Sequence, residues 1–337
     1  MASFMDRLRG FELDRLIHLR PPYPPVAVQL HVDGAELVRL KKVRKGPPLL
    51  EALVRCESEA VRVPMTMFDA GPVRPSDELK DRLRELFEKS GTKPGRVSLV
   101  LPDNLAKITL LPLPERPASR KQLDQLVRAQ MRRSVPFRIE QARVSYQVLP
   151  GESTGILVLV VIIRAALVDR YERALDSFGA KVGLIDLCTT NLINRCRDGI
   201  REASGSGDAA VLNCARGYFS LAIVRDSRLI FFRCKSYAVG NGDPGGPNGA
   251  LGREIGGSIS YYKEKLSGQG VRTFFVRSDG VPPAQIADKL HGMESLGNVD
   301  VRTIDPANWL SMPEGGHLDP DVAQRIAPAI AAAAGRI

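Results

Sequence analysis

Val26-Ala-Val-Gln-Leu-His-Val-Asp-Gly-Ala-Glu-Leu-Val-Arg-Leu40 sets the fold of this chain. Apolar residues run up to the turn signal Asp33-Gly34 and resume after it. The stretch predicts two antiparallel strands. A related pattern returns in the second half of the chain: Ala209–Cys214, Tyr218–Val224 and Leu229–Arg233 predict three strands, the last two joined at Asp226-Ser227. Both openings are followed by alternating strand and helix patterns. That repetition predicts a duplicated α/β architecture.

Between the two openings, Ser76–Ser90 predicts a helix with Ser76 as N-cap and Leu79, Leu83 and Leu86 on one face. Arg96–Leu101 and Lys107–Leu111 predict strands, and Pro112-Leu113-Pro114 a linker. Ser119–Ser134 predicts a helix with a Ser119/Gln122 capping box and an apolar stripe of Leu123, Leu126, Val127 and Met131. Strands at Val144–Leu149 and Ile156–Ile163, a helix at Ala165–Phe178 ended by Gly179, a strand at Val182–Leu187 and a helix from Thr189 to Arg201 complete this half. Ser204-Gly-Ser-Gly207 is the best boundary. Beyond the second hairpin come a helix over Ala250–Leu266, a strand at Val271–Val276, a helix after Pro283, a strand at Val299–Ile304 and an alanine-rich helix from Asp319. The division expected is a segment 1–20, a first half 21–205 and a second half 206–337.

A chain of 337 residues with 44% hydrophobic and 26% charged residues can bury two cores. Its net charge of +10 favours anionic surfaces, although a generally arginine-rich background gives the same sum. Cys56, Cys188, Cys196, Cys214 and Cys234 are odd in number and form no CxxC pair, which argues for reduced thiols and against a zinc site or disulfide framework. The N-terminus carries Asp6, Arg7, Arg9, Glu12 and Asp14 and does not read as a signal peptide. The longest apolar run, Ile156–Ile163, is too short to span a bilayer.

Several motifs fall short of a chemistry. Gly240-Asn-Gly-Asp-Pro-Gly245 spells a dinucleotide fingerprint, but Asp243 adds negative charge and Pro244 and Pro247 remove donors where pyrophosphate would sit. His18, His31, His291 and His317 lack metal-ligand spacing, and no nucleophile–base arrangement is legible, so neither a metal nor catalytic residues are expected. The helix bearing Arg120, Lys121, Arg128, Arg132 and Arg133 has a basic face but few nearby exposed aromatics. It reads as a solvated face or a contact to anionic lipid or an acidic partner, not as a nucleic-acid site. The amphipathic segment Met1–His18 fits an interfacial anchor, a tail or a strand-adding arm.

Several stretches in order resemble one family. Val97-Ser-Leu-Val-Leu-Pro-Asp103 is followed by Leu110-Leu-Pro-Leu-Pro114. A helix ends in Ser134-Val-Pro-Phe137, Tyr146-Gln-Val-Leu149 precedes an apolar strand, and Ala250-Leu-Gly-Arg-Glu-Ile255 leads to Tyr261-Tyr262. Over roughly residues 20–337 the chain resembles the PilM family of type IV pilus assembly proteins and, more distantly, FtsA. The resemblance implies a duplicated actin-like (RNase H-like) α/β fold with a small subdomain, about 105–180, inserted in the first half. It implies a cytoplasmic scaffold, peripheral to the inner membrane, that binds the N-terminal peptide of a PilN-like membrane protein in a groove between the first subdomain and the insert. Val135, Pro136 and Phe137 are the residues expected there. A pilus motor ATPase, an anionic membrane surface and a second copy of the chain are further partners to consider. The alternatives are an active actin-like ATPase and the related cytoplasmic component of a type II secretion platform.

In such ATPases glycine-rich turns and acidic side chains hold phosphate and Mg²⁺. Here the resemblance puts Gln29 at the family's Asp, His31 at its Gly and Glu36 where a Lys meets phosphate. In the second half Asn213-Cys214-Ala215 replaces Asp-x-Gly, and Arg277-Ser278-Asp279-Gly280 replaces a Gly-Gly loop. A carboxylate beside phosphate oxygens costs on the order of 1 kcal/mol or more even in a solvated site. A degenerate nucleotide site is therefore expected: no cofactor, ATP and Mg²⁺ disfavoured, and a binding protein in place of an enzyme.

Overall fold

The structure, a computed structural model, describes residues 23–64, 66–69, 76–150, 155–237 and 250–335. Met1–His18 and the Gly240–Gly245 motif lie outside the described residues. The chain opens with β1 (Val26–Leu30) and β2 (Ala35–Lys41), then makes β3 (Leu49–Cys56), α1 (Asp77–Lys89) and β4 (Arg96–Leu101). It continues through β5 (Ala106–Leu113), α2 (Arg120–Met131), β6 (Ala142–Pro150) and β7 (Ile156–Arg164), and returns by α3 (Ala165–Asp176), β8 (Lys181–Leu187), α4 (Cys188–Arg195) and α5 (Arg197–Ser204). The rest comprises β9 (Asp208–Ala215), β10 (Tyr218–Arg225), β11 (Arg228–Ser236), α6 (Ala250–Lys265), β12 (Val271–Ser278), α7 (Pro283–His291), β13 (Asp300–Thr303) and α8 (Pro320–Ala334).

Two five-stranded sheets have one topology, β3-β2-β1-β4-β8 and β11-β10-β9-β12-β13. In each, the hairpin strands are antiparallel and the two later strands join in parallel. The third sheet, β5-β7-β6, is antiparallel and occupies residues 106–164. α2 covers one of its faces, with Leu123, Val127 and Met131 packed on Val158, Val160 and Ile162. Ser119 caps α2 by accepting from the Gln122 N–H (3.2 Å), and Gln122 Oε1 accepts from the Ala118 N–H (3.2 Å).

Three details differ from the sequence reading. β3 was not foreseen: Leu49–Cys56 follows the basic, proline-ended run 42–48 that masks its strand pattern. Pro112 lies inside β5, opposite Leu157, on an edge strand where a missing N–H is tolerated. The helix expected over Thr189–Arg201 is two helices that meet at Cys196, without a proline or glycine to mark the break.

The C-terminal helix ties the halves together. It follows the second sheet in sequence but buries the first, where Ala323, Ala329, Ala332, Ala333, Ile326 and Ile330 meet Ala27, Val38, Leu40 and Val100. The small alanines let α8 lie close to the sheet, and each buried isoleucine contributes roughly 2 kcal/mol.

Candidate functional site: the cleft between the two halves

Parallel pairing brings the C-terminal ends of β1 and β4 together, and likewise those of β9 and β12. Such strand ends are where open α/β sheets receive ligands. Gln29, His31, Asp103, Asn213, Ala215, Arg277, Asp279 and Gly280 gather here.

Gln29 is 1% exposed and points at α8. Its Nε2 donates to the Arg325 carbonyl (3.0 Å), and its Oε1 accepts from the Ala329 N–H (2.8 Å). Those two backbone groups are the pair that an unbroken α-helix joins directly. Pro328 explains the arrangement. A proline inside a helix has no N–H to give and crowds the carbonyl four residues back, here Gln324. Arg277 supplies the missing donors: its Nε reaches the Gln324 carbonyl (2.7 Å) and its Nη2 the Arg325 carbonyl (2.8 Å). Gln324 completes the seam, donating to the Ile304 carbonyl (2.6 Å) and accepting from the Ser278 N–H (3.1 Å).

Asn213 does the reciprocal work in the second half. Its Nδ2 donates to Thr189 Oγ1 (2.9 Å) and Asp103 Oδ2 (3.4 Å) of the first half, and its Oδ1 accepts from Arg277 Nη1 (3.0 Å). Asp103 also accepts from Ser220 Oγ (2.8 Å), from the Thr189 N–H (3.1 Å) and from the Thr189 hydroxyl. Burial pushes the Asp103 carboxyl up, while the donors from Thr189, Ser220 and Asn213 pull against that rise. Asp103, Thr189, Ser220, Gln324 and the inward reach of Arg277 were not identified from sequence. Pro328 was the available signal, because a proline in an alanine-rich helix frees carbonyls that need donors.

The hairpin turns meet above this layer. Gly34 is required because a Cβ there would lie 2.1 Å from the Cys56 carbonyl oxygen of β3. Asp33, one residue earlier, accepts from Arg55 Nη2 (3.0 Å) and from Arg216 Nη1 (3.2 Å), the latter across the cleft. Glu36 is buried and is held by the His31 ring and by Arg55 Nε (3.4 Å). The Gln29 amide lies 3.1 Å from the same His31 Nε2. Asp279 sits among Arg277 (3.5 Å), Arg325 (3.6 Å) and Arg216 (3.8 Å). Burial alone would raise its carboxyl, but Arg277, with His31, Arg325 and Arg216, outweighs burial and holds it below the ordinary range. Gly280, at φ +90°, follows with its α-carbon beside the Arg216 side chain.

Gln29, His31, Ala215, Arg216, Arg277 and Asp279 border a cavity of only about 10 Å³, roughly the room of one water. Among the described residues, no group of His, Cys, Asp and Glu side chains could hold a metal ion. Burial pushes the neighbouring Cys214 thiol up to about 12 and that of Cys188 further, so neither is a ready thiolate.

Val135, Pro136 and Phe137 lie elsewhere, in the loop between α2 and β6. Val135 and Phe137 close the α2-side core of the insert, and Pro136 is exposed. This loop lies toward the end of the third sheet where β5 begins and β7 ends. Nearby in the chain path, the Met67 N–H donates to the Asn104 carbonyl (3.2 Å), and the next residue, Phe68, is 69% exposed. On α2, Arg128 pairs with Asp124 (2.9 Å), while Arg120 and Lys121 border an open pocket of about 420 Å³ with Val144, Ser145 and Tyr146.

No protein-family model matches the sequence, and no curated protein does. Among solved structures, the fold is similar to the PilM–PilN type IV pilus biogenesis complex, with a TM-score of 0.70, 17% identity, and coverage of 93% of this chain and 97% of that one. It is also similar to a Bacteroides thetaiotaomicron protein with an actin-like ATPase fold and unknown function, with a TM-score of 0.52, 12% identity, and coverage of 84% and 91%. The chain has the duplicated actin-like fold with a small subdomain inserted in its first half.

Proposed function

We propose that this chain is a cytoplasmic scaffold of a type IV pilus assembly platform, and that it captures the N-terminal peptide of a PilN-like inner-membrane protein. The similarity to a PilM–PilN complex over 93% of the chain supports the platform role. The observation that carries the binding-protein reading is the Gln29 amide seated between Arg325 and Ala329 of α8. A side chain engaged on both its polar atoms is not free to position Mg²⁺ or its waters. Asp33–Arg216 spans the cleft between the hairpin turns, and the remaining space suits a water, not a triphosphate. The chain is accordingly a pseudo-ATPase whose surfaces carry its work.

Peptide capture fits the base of the insert. Extended peptides gain affinity from main-chain hydrogen bonds and specificity from apolar pockets. Phe68, exposed one residue after the Met67–Asn104 contact of the first half, and Pro136, exposed on the insert, are the apolar contacts this reading uses. No helix among the described residues is long and apolar enough to cross a membrane; in this reading the bitopic partner supplies the anchor. Fluorescence anisotropy with a labelled N-terminal peptide of the PilN-like protein tests the reading. Saturable binding weakened at least about tenfold, ~1.4 kcal/mol, by Phe68→Asp or Pro136→Asp is the expected result. Absence of peptide binding together with ATP turnover contradicts it.

A further inference from the structure

We propose that the end of the first half opposite the cleft is a docking surface for an anionic lipid bilayer. The proposal goes beyond peptide capture and does not rest on it. Register pairs Val26 with Arg39, Lys41 with Leu49 and Arg96 with Lys181. The starts of β1, β4, β8 and β3 and the end of β2 therefore share one edge of the sheet. The loop from β2 to β3 adds Lys42-Val-Arg-Lys-Gly-Pro-Pro48 to that edge. Lys41, Lys42, Arg44, Lys45, Lys93, Arg96 and Lys181 are all exposed on it.

Acidic residues do not cancel this charge. Glu51 pairs with Arg39 (3.3 Å) and Lys41 (3.6 Å), and so offsets Lys41 and not the cations of the loop. Lys42, Arg44 and Lys45 make no ion pair with any described residue. Val43, in their midst, is 38% exposed. A half-exposed apolar side chain between exposed cations matches a headgroup layer, where each cation adds about 1 kcal/mol of attraction. No aromatic side chain lies in the loop to stack on a base, which disfavours single-stranded nucleic acid.

The loop is held in place at its base. Ser311 anchors its base, with its N–H donating to the Pro48 carbonyl and its hydroxyl to the Pro47 carbonyl, both at 2.9 Å. Arg39 Nη1 ties the same corner to the Gly91 carbonyl (2.9 Å), beside Lys93. At the matching corner of the second half, β10 and β11 are joined by Asp226-Ser227 alone, both at positive φ. The topology needs only a two-residue turn, so the longer basic loop serves something other than chain connection.

Vesicle flotation tests the proposal without any protein partner. The probes are phosphatidylcholine vesicles with and without phosphatidylglycerol, at low and high salt. Wild-type protein is expected to float only with the anionic vesicles, and less at high salt. A triple variant, Lys42→Gln, Arg44→Gln and Lys45→Gln, should lose on the order of 100-fold in partition, about fivefold per cation. A matched variant on α2, Arg120→Gln, Lys121→Gln and Arg132→Gln, should float like wild type. Circular dichroism checks that both variants keep the fold. Equal flotation of the loop variant, loss confined to the α2 variant, equal binding to neutral vesicles, or a gel shift of duplex DNA without vesicle binding each overturn the proposal.

Discussion

The two halves repeat one topology and put amides at the same place in it. Gln29 pairs with Glu36 across the first hairpin, and Asn213 with Ser220 across the second, each seven residues on. Where the actin-like resemblance implies acids, both halves carry an amide, and each amide grips the other half. Gln29 of the first half holds the helix that follows the second sheet, and Asn213 holds Asp103 and Thr189 of the first. A carboxylate only accepts hydrogen bonds, whereas an amide accepts and donates. In this chain the two amides act as two fastenings between the halves. The halves diverge in what they fasten: the first grips neutral backbone, the second a buried carboxyl and a guanidinium.

That contrast orders the expected losses of stability in urea unfolding. Arg277→Met should cost most, about 3–5 kcal/mol, because it takes the nearest guanidinium from buried Asp279, leaves the Gln324 carbonyl without its donor and leaves the Arg325 carbonyl to Gln29 alone. Asn213→Leu should cost about 3 kcal/mol, since its partners Asp103 and Arg277 are ionisable. Gln29→Leu should cost about 2 kcal/mol, its lost bonds being neutral ones. If Gln29→Leu proves costlier than Asn213→Leu, the ranking of the two fastenings is wrong.

Asp279 sharpens the comparison through pH. Its folded carboxyl titrates below the ordinary range, so the stability it adds is present above about pH 4 and is lost as pH falls through the folded value. The stability gap between wild type and Asp279→Asn should therefore be largest near neutrality and shrink on acidification, as followed by denaturant titrations across that window. The smallest effect belongs to the Asp33–Arg216 bridge, which is half-exposed. A double-mutant cycle on it should give a coupling of roughly 0.5 kcal/mol, falling with salt.

The duplicated fold was legible because apolar runs broken by turn residues announce strands in both halves, with Asp33-Gly34 between β1 and β2 and Asp226-Ser227 between β10 and β11. β3 was not, since its pairing with β2 is a tertiary fact and its flank is basic and proline-rich. In the site, Gln29, His31, Glu36, Asn213, Ala215 and Gly280 were singled out by the resemblance alone, and they stand in the hairpins and strand ends beside the cleft. What they touch was hidden. The partner of Gln29, Ala329, is 300 residues away, and no local pattern encodes a contact at that separation. Asp103 and Arg277 stood in recognisable strings, but their roles depend on which strand ends become neighbours.

The central claim, that the cleft is occupied by the chain's own side chains, is tested most directly by isothermal titration with Mg²⁺·ATP. The account predicts no saturable heat at ligand concentrations up to about 1 mM, which corresponds to binding weaker than about −4 kcal/mol. A one-to-one isotherm in the micromolar range, abolished by Arg216→Ala, would contradict it.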